Sequence, residues 1–222
     1  MNEKVIALVP AFNEAEHIAN VVRRTRPHAD EVVVIDDGSA DATAQLAREA
    51  GATVLRHEQN RGKGGAILTA LDYFQKSDAG YAVFLDADGQ HDPAEIPKFV
   101  QAACEAGVGM VIGTRMQHTE GMPLIRRCAN WLTSWITSKL ARERVPDSQC
   151  GYRLLCRAVL PDLKLSTAHF ETETEMLIQA GRAGHRIVSV SIATIYEVGR
   201  HSRIRPCRDT LRFFRLAKKY WP

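Results

Sequence analysis

An α/β fold with a mostly parallel central sheet flanked by helices is the class this chain predicts. Short apolar runs alternate with stretches of helical period through its first half, the pattern of strand-helix units wound onto a parallel sheet. Several of those runs also end in turns rich in carboxylates, and the carboxyl ends of parallel strands share one edge, where ligands bind.

The elements follow in order. Val5 to Val9 is an apolar run closed by Pro10, and Glu14 to Arg24 has Ile18, Val21 and Val22 on one helical face. Val32 to Ile35 enters the turn Asp36-Asp37-Gly38-Ser39, and Ala42 to Ala50 is an alanine-rich helix ended by Gly51. Thr53 to Leu55 is a short third strand before a helix from Gly64 to Phe74. Tyr81 to Leu85 delivers Asp86 to a strand mouth, Pro93 starts the next helix at its first turn, and Val108 to Ile112 is a strand. From Pro123 to Leu140 a helix carries Leu124, Cys128, Trp131, Leu132, Trp135 and Ile136 at near-helical spacing. Trp131 and Trp135 suit either core packing or contact with lipid. Glu171 to Ala183 is a helix and Ile187 to Tyr196 a strand. The last helix, Pro206 to Tyr220, places Cys207, Leu211, Phe214 and Trp221 on one stripe among Arg and Lys residues. That stripe suits docking on the core, an anionic membrane surface, or both.

With 222 residues, 45% hydrophobic and 25% charged, the chain reads as one globular domain spanning 1–222, and a net charge of +3 does not argue for nucleic acid. Five cysteines without Cys-x-x-Cys spacing indicate neither a disulfide framework nor a zinc site, so they are expected reduced. No apolar segment approaches the ~20 residues of a membrane-spanning helix. The amino terminus runs straight into a strand, so a cytoplasmic protein is expected, in solution or peripheral on the inner face of a membrane.

Asp86-Ala87-Asp88-Gly89-Gln90 is the most informative stretch. Carboxylates at the mouth of a buried strand are costly without partners. Mg2+ or Mn2+ is a natural partner, since such ions are held by one or two carboxylates completed by substrate phosphates. The alternative is that these acids cap the following helix. Arg61-Gly62-Lys63-Gly64-Gly65 could cradle phosphate at a helix amino terminus, or be a glycine-rich helix start packed beneath the site. It matches neither a P-loop nor a dinucleotide fingerprint. Ser39 and Asp41 read equally as turn and cap residues, and His91 as a loop residue or a ligand.

Together with Pro10-Ala11-Phe12-Asn13-Glu14 and Asp36-Asp37-Gly38-Ser39, these motifs resemble glycosyltransferase family 2 in order and spacing. Asp147-Ser148-Gln149-Cys150-Gly151-Tyr152-Arg153 and Gly113-Thr114-Arg115 resemble its polyprenyl-phosphate mannosyl- and glucosyltransferase branch, the relatives of dolichol-phosphate mannose synthase. The resemblance implies a GT-A fold and an inverting, metal-dependent transfer from a nucleoside diphosphate sugar. Residues 1–115 would bind the donor, 116–205 the acceptor, and 206–222 would form a basic amphipathic terminal helix. It implies that Pro10, Phe12, Glu14, Ile35 and Asp37 line the nucleotide pocket and that Asp86 and Ala87 meet the nucleotide sugar. Asp88, with Gln90, would hold Mg2+ or Mn2+, and Arg203 would reach the diphosphate. Arg115 and Arg126 would hold a lipid phosphate, for which Arg153 is a further candidate; Asp86, Asp88 and Arg115 form the catalytic set.

A phosphate acceptor is already an anion and needs cations rather than a base, whereas a hydroxyl acceptor needs a general base. Family members acting on hydroxyls often carry a Glu-Asp pair near a late helix start. This chain reads Phe170-Glu171-Thr172-Glu173 there, leaving Glu171 or Glu173 as substitutes. The expected acceptor is a polyprenyl phosphate. Alternatives are transfer to a hydroxyl, or a catalytically silent nucleotide-sugar-binding subunit of a membrane-embedded partner.

Overall fold

The computed structural model describes residues 3–115, 124–193 and 206–221. Its seven strands form one sheet. They are β1 (Val5–Ala11), β2 (Glu31–Asp36), β3 (Thr53–Arg56), β4 (Tyr81–Phe84), β5 (Val108–Thr114), β6 (Arg153–Cys156) and β7 (Arg186–Ser191), in the order β3-β2-β1-β4-β6-β5-β7. Every pairing is parallel except those of β6, which runs antiparallel to both β4 and β5. β6 is an addition to the sequence reading, because four residues headed by an arginine make no apolar run. β1 also continues through Pro10 to Ala11, which pairs with Asp36.

Alternation along the strands sends side chains to two helical layers. Ala7, Val9, Val32, Val34 and Val83 pack under α1 (Ile18–Thr25), α2 (Thr43–Glu49) and α4 (Ile96–Ala103). Ile6, Leu8, Val33, Ile35 and Phe84 face α3 (Gly62–Lys76) and α6 (Glu171–Arg182). A third cluster joins Ile136 and Leu140 of α5 (Leu124–Ala141), Ile178 of α6, and Phe213, Leu216 and Ala217 of α7 (Pro206–Tyr220).

That cluster corrects the face assigned to the last helix. Phe213 and Leu216 are buried, whereas Leu211, Phe214 and Trp221 of the expected docking stripe are exposed; the side chain of Cys207 lies outside the described residues. Core packing is likewise excluded for Trp131 and Trp135, which are 67% and 46% exposed. Among the described residues no helix is long and apolar enough to cross a membrane.

Glu175 anchors α7 to α6. Fully buried, it accepts hydrogen bonds from the backbone N–H and hydroxyl of both Ser166 and Thr167, from Lys219 Nζ at 2.9 Å and from the Tyr220 hydroxyl at 2.9 Å. Burial alone would raise its pKa, but the Ser166 backbone bond, Lys219 and the hydroxyls outweigh it and lower the pKa to about 2 from 4.5. A carboxylate depressed on folding stabilises the native state above its unfolded pKa, and that contribution is lost as pH falls through the folded value. Glu175→Gln should therefore flatten the loss of stability between about pH 5 and pH 2, measured by urea denaturation across that range. A slope identical to the parent protein's would show that Glu175 does not supply it.

Candidate active site

The site lies on the edge where the parallel strands end. Antiparallel β6 also begins there, since Arg153 pairs with Phe84 of β4 and Ile112 of β5. The turn before β6 is thereby set beside Asp86 and Arg115.

At the ends of β1 and β2 the two following loops hold one another. Asn13, at φ +50°, donates its N–H to Ser39 Oγ at 2.9 Å, and its Oδ1 accepts from Ala40 N–H at 2.9 Å. Glu14 N–H donates to Thr43 Oγ1 and Ala15 N–H to Asp41. Ser39 and Asp41 thus fasten the Phe12-Asn13-Glu14 loop as well as their own turn, with Ser39 N–H on Asp36 Oδ1 at 3.0 Å. Pro10 and Ile35 face each other in the β1–β2 register beneath these loops.

Asp37 performs a task the motif did not disclose. Its carboxylate, 3% exposed, accepts from the N–H of Arg61 and of Gly62, both at 2.8 Å, and lies 2.7 Å from His57 Nδ1. It caps α3 and so places Lys63. Gly38, at φ +75°, has no room for a side chain, because a Cβ would lie 2.9 Å from backbone atoms of Gln59 and Asn60. Gly64 is a close-packing glycine, since a Cβ there would come within 2.2 Å of the Ala168 carbonyl carbon. The glycine-rich helix start is therefore packed against the segment leading into α6.

Lys63 is the electrostatic centre. Its Nζ is 2.7 Å from Asp86 Oδ1 and 3.2 Å from Glu173 Oε2, with the Phe170 ring 5.8 Å away. Burial opposes the charged ammonium, but Asp86 and Glu173 outweigh it and raise its pKa. Burial likewise opposes ionisation of Asp86, yet Lys63, then His91 and Arg153, hold its carboxyl well below the usual range. Asp86 nevertheless keeps 31% of its side chain open, so it can meet a ligand. His91 is a packed residue: its ring stacks on Tyr152 at 5.0 Å, Tyr152 stacks on Phe99, and Nδ1 accepts from Asp86 N–H at 3.3 Å. Burial lowers its pKa against the pull of Asp86 and Asp88.

Ala87 is buried, and Asp88 Oδ1 accepts from Gln90 N–H at 3.1 Å across Gly89, at φ +76°. No cluster of three or more His, Cys, Asp or Glu side chains able to hold a metal occurs among the described residues. One or two carboxylates beside a phosphate site fit an ion whose coordination substrate and water complete, not a preformed cage.

On the opposite side Arg115, following β5, forms a two-pronged pair with buried Asp147, Nε to Oδ2 at 3.0 Å and Nη2 to Oδ1 at 3.1 Å. Asn130 Nδ2 donates to the same Oδ1 at 3.1 Å. Asp147 and Asn130 were not among the expected site residues; Asp147 lay in the quoted motif, but only the pairing reveals its role. Burial works against ionisation of Asp147, and the Arg115 bonds overcome it and lower its pKa.

Arg153 is a correction. Only 1% exposed, its guanidinium donates to the carbonyls of Cys150 at 2.7 Å, Ser148 at 2.9 Å and Glu173. It braces the site from within and does not face an acceptor. Arg203 and the side chain of Arg126 lie outside the described residues.

Two substitutions check this geometry. Arg153→Met should cost about 3 kcal/mol in chemical denaturation, because two buried carbonyls and one half-buried one lose their donor; a change near zero would refute the bracing role. Gly151→Ala would put a Cβ 2.6 Å from Asp86 Oδ2. Any activity that depends on Asp86 should fall about a hundredfold from that misplacement, and full activity would show that Asp86 is not held by this contact.

Residues 6–163 match the family model described as glycosyl transferase family 2. The chain is 34% identical over 220 residues to the UDP-N-acetylglucosamine–dolichyl-phosphate N-acetylglucosaminyltransferase of Methanococcus voltae, covering 88% of each chain. It is 27% identical to the undecaprenyl-phosphate mannosyltransferase of Micrococcus luteus, covering 86% of this chain and 84% of that one. Mannosyl-3-phosphoglycerate synthase from Rubrobacter xylanophilus superposes with a TM-score of 0.75 at 20% identity, over 98% of this chain and 73% of that one. Glucosyl-3-phosphoglycerate synthase from Mycobacterium tuberculosis, solved with Mn2+, UDP and glucosyl-3-phosphoglycerate, gives 0.69 at 22% identity, over 98% and 78%. These structures support the GT-A fold. By the family match and the full-length relatives, the chain belongs to glycosyltransferase family 2, in the branch whose members act on polyprenyl phosphates.

Proposed function

We propose that this glycosyltransferase moves a sugar from a nucleoside diphosphate sugar to a polyprenyl phosphate, with inversion at the anomeric carbon. The observation that carries the reading is Arg115, held by Asp147 at the strand-end edge across from the Lys63–Asp86 pair. A cation fixed by a buried carboxylate suits an anionic acceptor. Glu173, one of the two candidate bases, is instead ion-paired to Lys63.

The donor sits on the first half of the chain, with its base and ribose between the Phe12 loop and the Asp37 turn. Its diphosphate lies toward Lys63 and the amino terminus of α3, where backbone N–H groups and the ammonium favour anions. Asp86 meets the sugar-bearing end. Asp88, with Gln90, would hold Mg2+ or Mn2+, and that ion would stabilise charge on the departing diphosphate as a Lewis acid. Arg115 positions the acceptor phosphate, joined in the acceptor half by Arg126, with Arg203 at the diphosphate. An acceptor phosphate oxygen attacks the anomeric carbon as its bond to the diphosphate oxygen breaks, and no proton need be removed. The names of the relatives widen the expected donors from GDP-mannose and UDP-glucose to UDP-N-acetylglucosamine. A lipid acceptor places the enzyme at the inner face of a membrane, peripherally or on a membrane-embedded partner.

Hydroxyl transfer is the second reading, favoured by one observation: Glu171 Oε2 is buried without a hydrogen-bond partner among the described residues. One assay separates the two. Label from at least one of the three donors should enter the organic phase with a short polyprenyl phosphate and Mn2+. Asp88→Ala should lower transfer by at least about a hundredfold, while Glu171→Gln leaves it within about threefold. Full transfer by Asp88→Ala would remove the metal role, and collapse in Glu171→Gln would favour the hydroxyl reading.

A further inference from the structure

α5 buries polar and apolar residues side by side. Asn130, Ser134 and Thr137 are buried along with Ile136 and Leu140, while Trp131, Leu132 and Trp135 face outward. The buried polar residues are hydrogen-bonded: Asn130 to Asp147, Ser134 to Ser148, and Thr137 to the Thr133 carbonyl. α7 packs beside it through Phe213, Leu216 and Ala217 and turns Leu211 and Phe214 outward, with Trp221 just beyond its end. Among the described residues, seven large apolar side chains are exposed, and all but Leu68 belong to this pair of helices and the residue after α7. A monomer in water does not ordinarily gather its exposed aromatic surface in one place.

Charge identifies the occupant. α5 has no acidic residue, and the one acid of α7, Asp209, pairs with Arg212. Arg208, Arg215 and Lys218 are exposed on α7 and Arg127 and Lys139 on α5. Aromatic side chains interleaved with unopposed cations match a bilayer interface carrying anionic headgroups. We infer that the outer faces of α5 and α7 dock this protein on an anionic lipid bilayer, with Trp131 and Trp135 inserted. The inference rests on the acceptor reading above and deepens it. The helix that lies on the bilayer also supplies Asn130 to the carboxylate holding Arg115, so one helix diameter, about 10 Å, separates the surface from that cation.

The chain's three tryptophans, Trp131, Trp135 and Trp221, all lie on this surface, so the unaltered protein reports on it. Full-length protein, without donor or acceptor, is mixed with phosphatidylglycerol-containing or pure phosphatidylcholine vesicles and followed by co-sedimentation, emission shift and quenching by brominated lipid. Binding selective for phosphatidylglycerol, a blue shift and quenching are expected. Trp131→Ser/Trp135→Ser should weaken partitioning on the order of tenfold or more, with turnover of a short, water-soluble acceptor unchanged. Absence of vesicle binding overturns the inference, as does binding without shift or quenching. A double variant that binds vesicles normally, or that instead dissolves a dimer of this chain, overturns it too. Binding that persists when transfer fails would sink the acceptor reading alone, and transfer to the short acceptor without vesicle binding would sink the docking face alone.

Discussion

An antiparallel strand inserted between two parallel ones begins where its neighbours end, and this site depends on that constraint. Because Arg153 opens β6 opposite Phe84 and Ile112, the turn Asp147–Tyr152 is carried to the edge that already holds Asp86 and Arg115. Such a strand start needs its own support, since a guanidinium at 1% exposure is tolerable only with its donors satisfied. Three backbone carbonyls satisfy it, two from the turn and one from α6. One buried side chain thereby fixes the turn against the helix that presents Glu173 to Lys63. Gly151 follows from the same closeness, because Asp86 occupies the space its side chain would need.

Around that frame the charges are arranged in pairs that bridge distant parts of the chain. Asp37 at the end of β2 orders the start of α3, and α3 carries Lys63 to Asp86 at the end of β4 and to Glu173 on α6. Asp147 orders Arg115 at the end of β5 and receives Asn130 from α5. Each pair joins two or more elements, so the geometry of the edge is held by ionic and hydrogen-bonded links over an apolar sheet. A buried ion pair contributes little net stability after its desolvation cost, but removing one partner strands the other. These links are therefore better understood as setting position than as stabilising the fold.

Much of this was legible in the sequence. The strands β1, β2, β4 and β5 announce themselves as apolar runs, and the acids after β1, β2 and β4 fall where parallel topology puts them. What escaped did so for physical reasons. β6 is four residues long and begins with a charge, so periodicity could not detect it. Arg153 looked like a cation for the acceptor phosphate because a lone arginine in a motif carries no sign of burial. α7 has two apolar stripes, Leu211 with Phe214 and Phe213 with Leu216, and a helical pattern does not say which one meets the core. α5 misled more deeply, since Asn130 and Ser134 turn inward beside Ile136 and Leu140 and are satisfied by the Asp147 loop, a partnership visible only once that loop is folded against it.

The pairing of the site charges also bears on how an anionic ligand would enter. Lys63 is shared between two carboxylates and Arg115 is clasped by Asp147, so each cation is held by protein oxygens. A diphosphate approaching Lys63 exchanges one set of oxygen partners for another, and the ammonium's loss of hydration has already occurred in folding. To bind an anion more closely, Lys63 would have to release Asp86 or Glu173. Lys63 and Arg115 are both positioned by the fold itself, through carboxylates carried on other elements.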